Sequence, residues 1–516
     1  MVHALNDYPF FSSIEKSFVR QAIKELKSED EALFLAYLFY SSKMGHIAIE
    51  INNDINPSFD EITLELKEKI IRGAKNFKGS PLVASFNNTH YLKKNFDQET
   101  YLLELLNQRL SDSCFKKIPC LNFDSSALLE KQKEAVQMAC QSNLLLLTGG
   151  PGTGKTHTAT YLIETIISNL PENEKENYEV TIAAPTGRAQ FHLFTSLTKK
   201  IANPEILKKV HAKTLHSLFD LKSQNFDLFE EPNKKLSSDL VVVDESSMID
   251  LAMMTRLFSS LKKGSRLVLI GDKNQLPPIE SGSVFYDLLH ILKDQVVELD
   301  VCVRSDIKEI IDFSRDVKKG IFDPSKHQSF LYHYDSDEEK NQKFVLEEIL
   351  SKDPKHFRVL APLRKGALGI EEINKLAIDA YRKKNIGKKE FSVPILFTKN
   401  DHKRAIYNGQ NGVLHFDKNA KPLLIETEEK KGLPSDFPPY ELAFCLSIHK
   451  SQGSEYDHVL VVMPSEGQKF GREILYTAIT RAKKSVSILT ERATLDNLLK
   501  KESIRLSSLY VRGLDI

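Results

Sequence analysis

Leu144-Leu145-Leu146-Leu147-Thr148-Gly149-Gly150-Pro151-Gly152-Thr153-Gly154-Lys155-Thr156 decides the fold. An unbroken leucine run reads as a strand buried on both faces, the habit of a parallel sheet. It passes straight into G-x-x-x-x-G-K-T. Glycines at this spacing let backbone N–H groups curl around phosphate oxygens; the lysine reaches the β- and γ-phosphates, and the threonine hydroxyl can ligate Mg²⁺. Thr156 to Leu170 continues as a helix. Strand, loop and helix come in the order the chemistry needs. The stretch therefore predicts nucleoside triphosphate binding by Gly150, Pro151, Gly152, Thr153, Gly154, Lys155 and Thr156.

Further along, Leu240-Val241-Val242-Val243 ends in Asp244-Glu245. At the end of a parallel strand, Asp244 suits a Mg²⁺ partner, and Glu245 suits the base that orients attacking water. The next strand delivers Gly271-Asp272-Lys273-Asn274-Gln275-Leu276-Pro277-Pro278. Gln275, in a loop stopped by prolines, is placed to sense a γ-phosphate and pass its state to a second site. Arg304 and Arg481 are candidates to bring positive charge to a phosphoryl transition state. For Arg481 the reading rests on its setting, Leu475-Tyr476-Thr477-Ala478-Ile479-Thr480-Arg481-Ala482.

Apolar runs alternating with helices extend this pattern. Leu144–Thr148, Val180–Ala184, Leu240–Val243 and Leu267–Ile270 form one set; Arg358–Leu360, Val393–Phe397, His458–Val462 and Val486–Leu489 form another. The expected class is α/β, with one P-loop lobe over residues 116–295 and a second over 296–516. Residues 1–115 read as a helical domain for docking a partner, with apolar positions at helical spacing through Phe18–Leu26 and Ala32–Tyr40. Within the second lobe, residues 391–443 carry Asn408-Gly409 and Asn411-Gly412 turns and Pro438-Pro439, which predict a small β insertion.

The formal net charge of the 516 residues is +1, so a polyanion site has to come from a local patch. Residues 188–216 supply one: Arg188, Lys199, Lys200, Lys208, Lys209 and Lys213 stand against the single acid Glu205. Five scattered cysteines without a C-x-x-C pair suit reduced thiols rather than a zinc site. Met1 to Phe11 lacks a signal-peptide pattern, and no apolar run approaches the ~18 residues of a membrane span. A soluble, cytoplasmic protein without a membrane partner is expected.

Seven blocks come in the order found in superfamily 1 DNA helicases. They are Gly149–Thr156, Ala184-Pro185-Thr186-Gly187-Arg188-Ala189, Thr214-Leu215-His216, Asp244-Glu245-Ser246-Ser247, Gly271–Pro277, His449-Lys450-Ser451-Gln452-Gly453-Ser454-Glu455 and Tyr476–Ala482. Within that superfamily the chain resembles the RecD family, the alpha subunit of exodeoxyribonuclease V, over residues 127–490. Ala361-Pro362-Leu363-Arg364-Lys365-Gly366-Ala367-Leu368-Gly369 and Asn400-Asp401 through Tyr407-Asn408-Gly409 carry that narrower likeness.

The resemblance implies two RecA-like lobes with ATP and Mg²⁺ between them and an SH3-like insertion. It implies that Gln132 reads adenine and that Gly453 and Glu455 lie near the nucleotide. Pro185, Thr186, His216, His449 and Lys450 would contact single-stranded DNA, with Arg188 beside them. It further implies 5′→3′ movement on single-stranded and duplex DNA, RecB- and RecC-like partner subunits, a setting in double-strand break repair and recombination, and no nuclease site in this chain. Ser305 follows Arg304 where the family commonly has glutamine, and Ser447 replaces a usual threonine while keeping the hydroxyl. Residues 219–236 occupy the place of a strand-separating hairpin but contain no strong turn dipeptide. Two other readings are a stand-alone RecD-like helicase, whose relatives usually have a longer N-terminal extension, and a structural subunit with a dispensable ATPase. Retention of Lys155, Asp244, Glu245 and Arg481 argues against the latter.

Overall fold

The computed structural model describes residues 2–22, 24–59, 61–77, 79–120, 127–201, 204–219, 235–302, 308–332, 334–385, 390–401, 404, 406–428, 430–503 and 505–513. Leu144 and Leu146 share one core with Val241, Val243, Leu267 and Leu269. Leu145 and Leu147 share another with Leu240, Val242, Val268 and Ile270. Successive strand residues point to opposite faces, so an all-leucine strand needs a core on each side. Leucine is a better helix former than strand former. Burial at about 1.5–3 kcal/mol per side chain nevertheless exceeds the ~1 kcal/mol span of strand propensity, and burial decides.

The first sheet has six parallel strands in the order Val296–Leu299, Leu144–Gly149, Arg266–Gly271, Leu240–Val243, Val180–Ala184, Val210–Thr214. Helices Glu130–Gln141, Lys155–Ser168 and Gly187–Lys200 cover one face, and Leu251–Ser260 and Val284–Ile291 cover the other. The second sheet has five parallel strands in the order Leu331–Tyr332, Ala482–Thr490, Tyr456–Met463, Phe357–Ala361, Cys445–Ser447. The α/β class with two RecA-like lobes holds.

Several expectations from the sequence are corrected. Val296–Leu299 pairs with the P-loop strand, so the first lobe extends through Leu299 rather than stopping at 295. Phe391–Phe397 belongs to a separate antiparallel sheet ordered Lys431–Gly432, Pro422–Glu426, Asn411–Phe416, Phe391–Phe397, Tyr440–Leu442. Asn411-Gly412 is not a turn there but opens a strand. A Cβ on Gly412 would stand 3.2 Å from Ile395 and Phe397, so this glycine serves close cross-strand packing. Residues 1–115 are not purely helical either. Helices Ser13–Gln21, Glu29–Lys43, Leu64–Asn76 and Lys93–Leu110 pack with an antiparallel sheet of Ile55–Asn56, Ala48–Ile51, Thr89–Leu92 and Val83–Phe86. These strands have two to four residues each, too few for an alternating pattern to register.

The chain's last described stretch leaves the second lobe. Leu506 accepts from the Ile47 amide at 2.9 Å and donates its own N–H to His46 Nδ1 at 3.0 Å. Ser507 donates to Asp287 at 2.8 Å, Arg512 donates to buried Glu99 at 2.8 Å, and Leu509 enters the first lobe's core. Arg505–Gly513 thus joins the N-terminal domain to the first lobe, and a second lobe running to 516 is corrected accordingly.

Burial, opposed by the Ser507 hydroxyl, pushes the Asp287 carboxyl up to about 7. A carboxyl raised in the folded state takes up protons on folding, so its stabilisation is complete at low pH and is lost as pH rises through about 7. Asp287→Asn stays neutral throughout. The difference in melting temperature between this variant and the parent, measured across about pH 6 to about pH 8, should therefore grow in the variant's favour as pH rises. A pH-independent difference would place the proton elsewhere. No described helix is long and apolar enough to cross a membrane.

Candidate functional site

The P-loop takes its shape from glycine backbone angles and from what presses on it. Gly152 and Gly154 sit at φ +73° and +86°, where side chains strain the backbone. Gly154 caps the helix Lys155–Ser168, whose first turn carries Lys155 and Thr156. That helix start, with its unpaired amides, is an anion site. The Lys155 ammonium donates to the carbonyls of Gly149 at 2.7 Å and Gly150 at 3.1 Å. Gln132 braces the loop from behind: its amide nitrogen donates to Thr153 O at 3.0 Å, and its oxygen accepts from Leu129 N at 3.0 Å. One amide proton remains for another acceptor.

Asp244 and Glu245 follow the strand Leu240–Val243. Glu245 has φ +52°, a left-handed conformation that costs a non-glycine residue about 1–3 kcal/mol and is typical of functional sites. Burial pushes the Asp244 carboxyl up, opposed by the Glu245 amide and by Lys155. Burial also raises Glu245; neighbouring Asp244 adds to this, while Arg481 and Lys155 oppose it. Arg481, on the second lobe, therefore lies within electrostatic range of Glu245. It is 4% exposed and donates to Thr477 O at 3.1 Å, Ser454 O at 3.4 Å and the Thr480 hydroxyl at 3.2 Å. Gln275 is buried in the same seam, and its side-chain oxygen accepts no hydrogen bond among the described residues. Gly453, at φ +69°, approaches Ala189 of the first lobe, and Glu455 pairs with Lys483 at 3.7 Å. Arg304 lies outside the described residues, as do 220–234 within the stretch considered for a hairpin.

The residues read as DNA contacts converge. Pro185, Thr186, Arg188, His216, His449 and Lys450 line one groove of about 580 Å³ between the lobes. Thr186 caps the helix Gly187–Lys200 by accepting from Ala189 N at 3.2 Å, which brings that helix's positive end to the groove. The insertion closes the far side. Tyr407 packs so tightly on Gly187 that a Cβ there would lie 2.7 Å away. With its carbonyl turned toward the first lobe, Asn411 accepts from Arg188 at 2.7 Å. Lys450 pairs with Glu441 at 2.6 Å. Burial lowers the pKa of the His449 imidazole, with Arg505 adding to the effect, so His449 enters the groove neutral.

Several residues that matter here had no role assigned from the sequence. Tyr476 donates to Asp272 at 2.9 Å across the lobes, both side chains being buried, and its hydroxyl lies over Gly150. The Thr477 hydroxyl accepts from Leu276 N at 3.0 Å, and Gln452 donates to Leu276 O at 3.4 Å. The loop after Gly271 is thus held by the second lobe at both its side chains and its backbone. A tyrosine and a threonine inside an arginine-containing helix block are the only sequence signal, and they do not name their partners.

A family model for the AAA domain matches residues 132–281, and one for the UvrD-like helicase C-terminal domain matches residues 442–489. The chain is 26% identical to the RecBCD enzyme subunit RecD of Buchnera aphidicola subsp. Schizaphis graminum, over 88% of each chain. It is 28% identical to the RecBCD enzyme subunit RecD of Mycolicibacterium smegmatis, over 84% of this chain and 83% of that one. The ATP-dependent RecD2 DNA helicase of Deinococcus radiodurans is 28% identical over 69% of this chain and 48% of its own length. Among solved structures, Bacteroides Pif1 helicase in complex with ADP-AlF3 and ssDNA aligns at a TM-score of 0.43 and 16% identity, covering 75% of this chain and 96% of that one. Two RecA-like lobes with this cleft between them, together with the two family-model matches and the RecD relatives, define a superfamily 1 helicase, an ATP-dependent DNA motor. Within that class, the RecBCD enzyme subunits RecD are the relatives the chain resembles over most of its length.

Proposed function

We propose that the chain moves 5′→3′ along single-stranded DNA as the RecD-type subunit of a RecBCD (exodeoxyribonuclease V) complex, beside RecB- and RecC-like subunits, in double-strand break repair and recombination. One observation carries the coupling. The loop after Gly271 has Asp272 and Gln275 in the nucleotide seam, while Pro277, Pro278, Ile279 and Glu280 line the groove. A shift of that loop is felt at both sites.

The donors present suit Mg·ATP: glycine-loop amides and Lys155 for the phosphates, and hard oxygens of Thr156 and Asp244 for the metal. When bound, Mg²⁺ would neutralise phosphate charge there. Glu245 orients and deprotonates the attacking water, Gln275 senses the γ-phosphate, and Arg481 meets the charge that develops on it. Gln132 offers its remaining amide proton to adenine, and Arg304 is assigned a second positive charge for the phosphates on the resemblance alone. Closing and reopening the cleft alternates the grip of the two lobes on the strand, which Pro185, Thr186, Arg188, His216, His449 and Lys450 hold without reading sequence. The antiparallel insertion is SH3-like in this reading.

Similarity to the RecD2 DNA helicase supports a second reading, a helicase that acts alone. Unwinding of 5′-tailed and 3′-tailed duplexes by the purified chain, with and without RecB- and RecC-like subunits, tests both. Preference for 5′ tails that requires the partners is expected. Unwinding only from 3′ tails would refute the polarity, and efficient 5′-tail unwinding by the chain alone would favour the second reading.

A further inference from the structure

A second cavity, of about 520 Å³, opens off the groove between the N-terminal domain, the loop after Gly271 and the second lobe. Pro277, Ile279 and His449 line both spaces, so the two adjoin. At their junction Ile279 is left 70% exposed. The N-terminal domain supplies aromatic rings, Tyr40 and Phe59, with centroids 5.1 Å apart and nearly perpendicular. The second lobe supplies Phe470, beside His449 at 6.4 Å. Lys469, Lys501 and Arg505 also line the cavity, facing the acids Glu61 and Glu502. Lys469 and Glu61 reach across from different domains to 3.6 Å, both largely exposed; such pairs are worth little and yield to a stronger partner.

We propose that this cavity is a further single-stranded nucleic-acid subsite, in which a base leaving the groove past Ile279 stacks on the rings and its phosphates meet Lys469 and Lys501. The proposal rests on the groove being the path of the strand. Interleaved aromatic faces and cations are what a strand of stacked bases and phosphates requires. The volume falls within the ~300–1,000 Å³ of small-molecule sites, room for a nucleotide. The N-terminal domain thereby becomes part of the DNA track.

The test uses the full chain with Lys469→Gln and Lys501→Gln together; both lysines are exposed, so the fold is retained. Binding of oligothymidylates lengthened one nucleotide at a time is measured over a range of salt. Oligomers short enough to fill only the groove should bind parent and variant alike. Longer ones should gain affinity with the parent while the variant levels off, with a salt slope lower by about 1.4 for two lost phosphate contacts. In the parent, a photocrosslink from 5-iododeoxyuridine should map to Tyr40, Phe59 or Phe470. Equal length dependence and equal salt slopes would overturn the subsite. So would unchanged DNA binding accompanied by lost capture of RecB- or RecC-like subunits, which would make the cavity a protein contact. If the short oligomers bind neither protein, the groove reading itself falls, and the subsite with it.

Discussion

Replacing Arg481 by alanine is expected to leave ATP binding nearly intact and to slow hydrolysis by about 10³-fold or more, the scale of an arginine that meets transition-state charge. The side chain reaches the cleft from the second lobe and opposes the rise of the Glu245 carboxyl, so it lies within electrostatic range of the hydrolytic centre. Its guanidinium also holds Thr477 O, Ser454 O and the Thr480 hydroxyl. Alanine therefore strips partners from buried groups, at about 1–3 kcal/mol for each left unsatisfied. Arg481→Lys separates the two effects: it keeps the charge and loses the planar fork. Single-turnover hydrolysis and fluorescent-nucleotide binding should show tight binding with slow chemistry in the alanine variant and partial recovery in the lysine variant. An unchanged kcat would remove the assigned role.

Lys155→Ala should lower DNA-stimulated ATP turnover by about 10²–10³-fold, the loss typical of removing one preorganised group from a developing charge. The ammonium is held over its own loop by Gly149 and Gly150, within reach of the space the loop encloses. The fold should survive, because Lys155 is half-buried at the start of its helix and alanine is at least as good a helix former there. Circular dichroism should match the parent while ATPase activity collapses. Turnover like the parent's would end the motor reading.

The glycine-rich loop and the acidic pair of the candidate site were legible because their placement is local. Gly149–Thr156 and Asp244-Glu245 each place their groups within a few residues of a fully buried strand, and an apolar run announces such a strand. Edge strands announce themselves poorly. Val210–Thr214 alternates valine and alanine with histidine and lysine, and it read as part of a basic patch. Val296–Leu299 is half-exposed at the opposite edge, and the domain boundary was drawn just before it. A strand paired on one side only buries less apolar surface, so its sequence carries less of the signal.

By itself the sequence determined two α/β lobes, the glycine-rich loop and the acidic pair that follow buried strands, and the ordered helicase blocks. Each depends on residues adjacent in the chain, where backbone geometry and periodicity are fixed over short range. Only the tertiary structure decided that Tyr476 meets Asp272, that Tyr407 closes the groove on Gly187, and that Arg505–Gly513 turns back to Glu99 and Asp287. Those partners are separated by some 200 to 400 residues. Nothing in local propensity encodes such pairings; they arise when burial brings distant surfaces together and each buried polar group must find a partner.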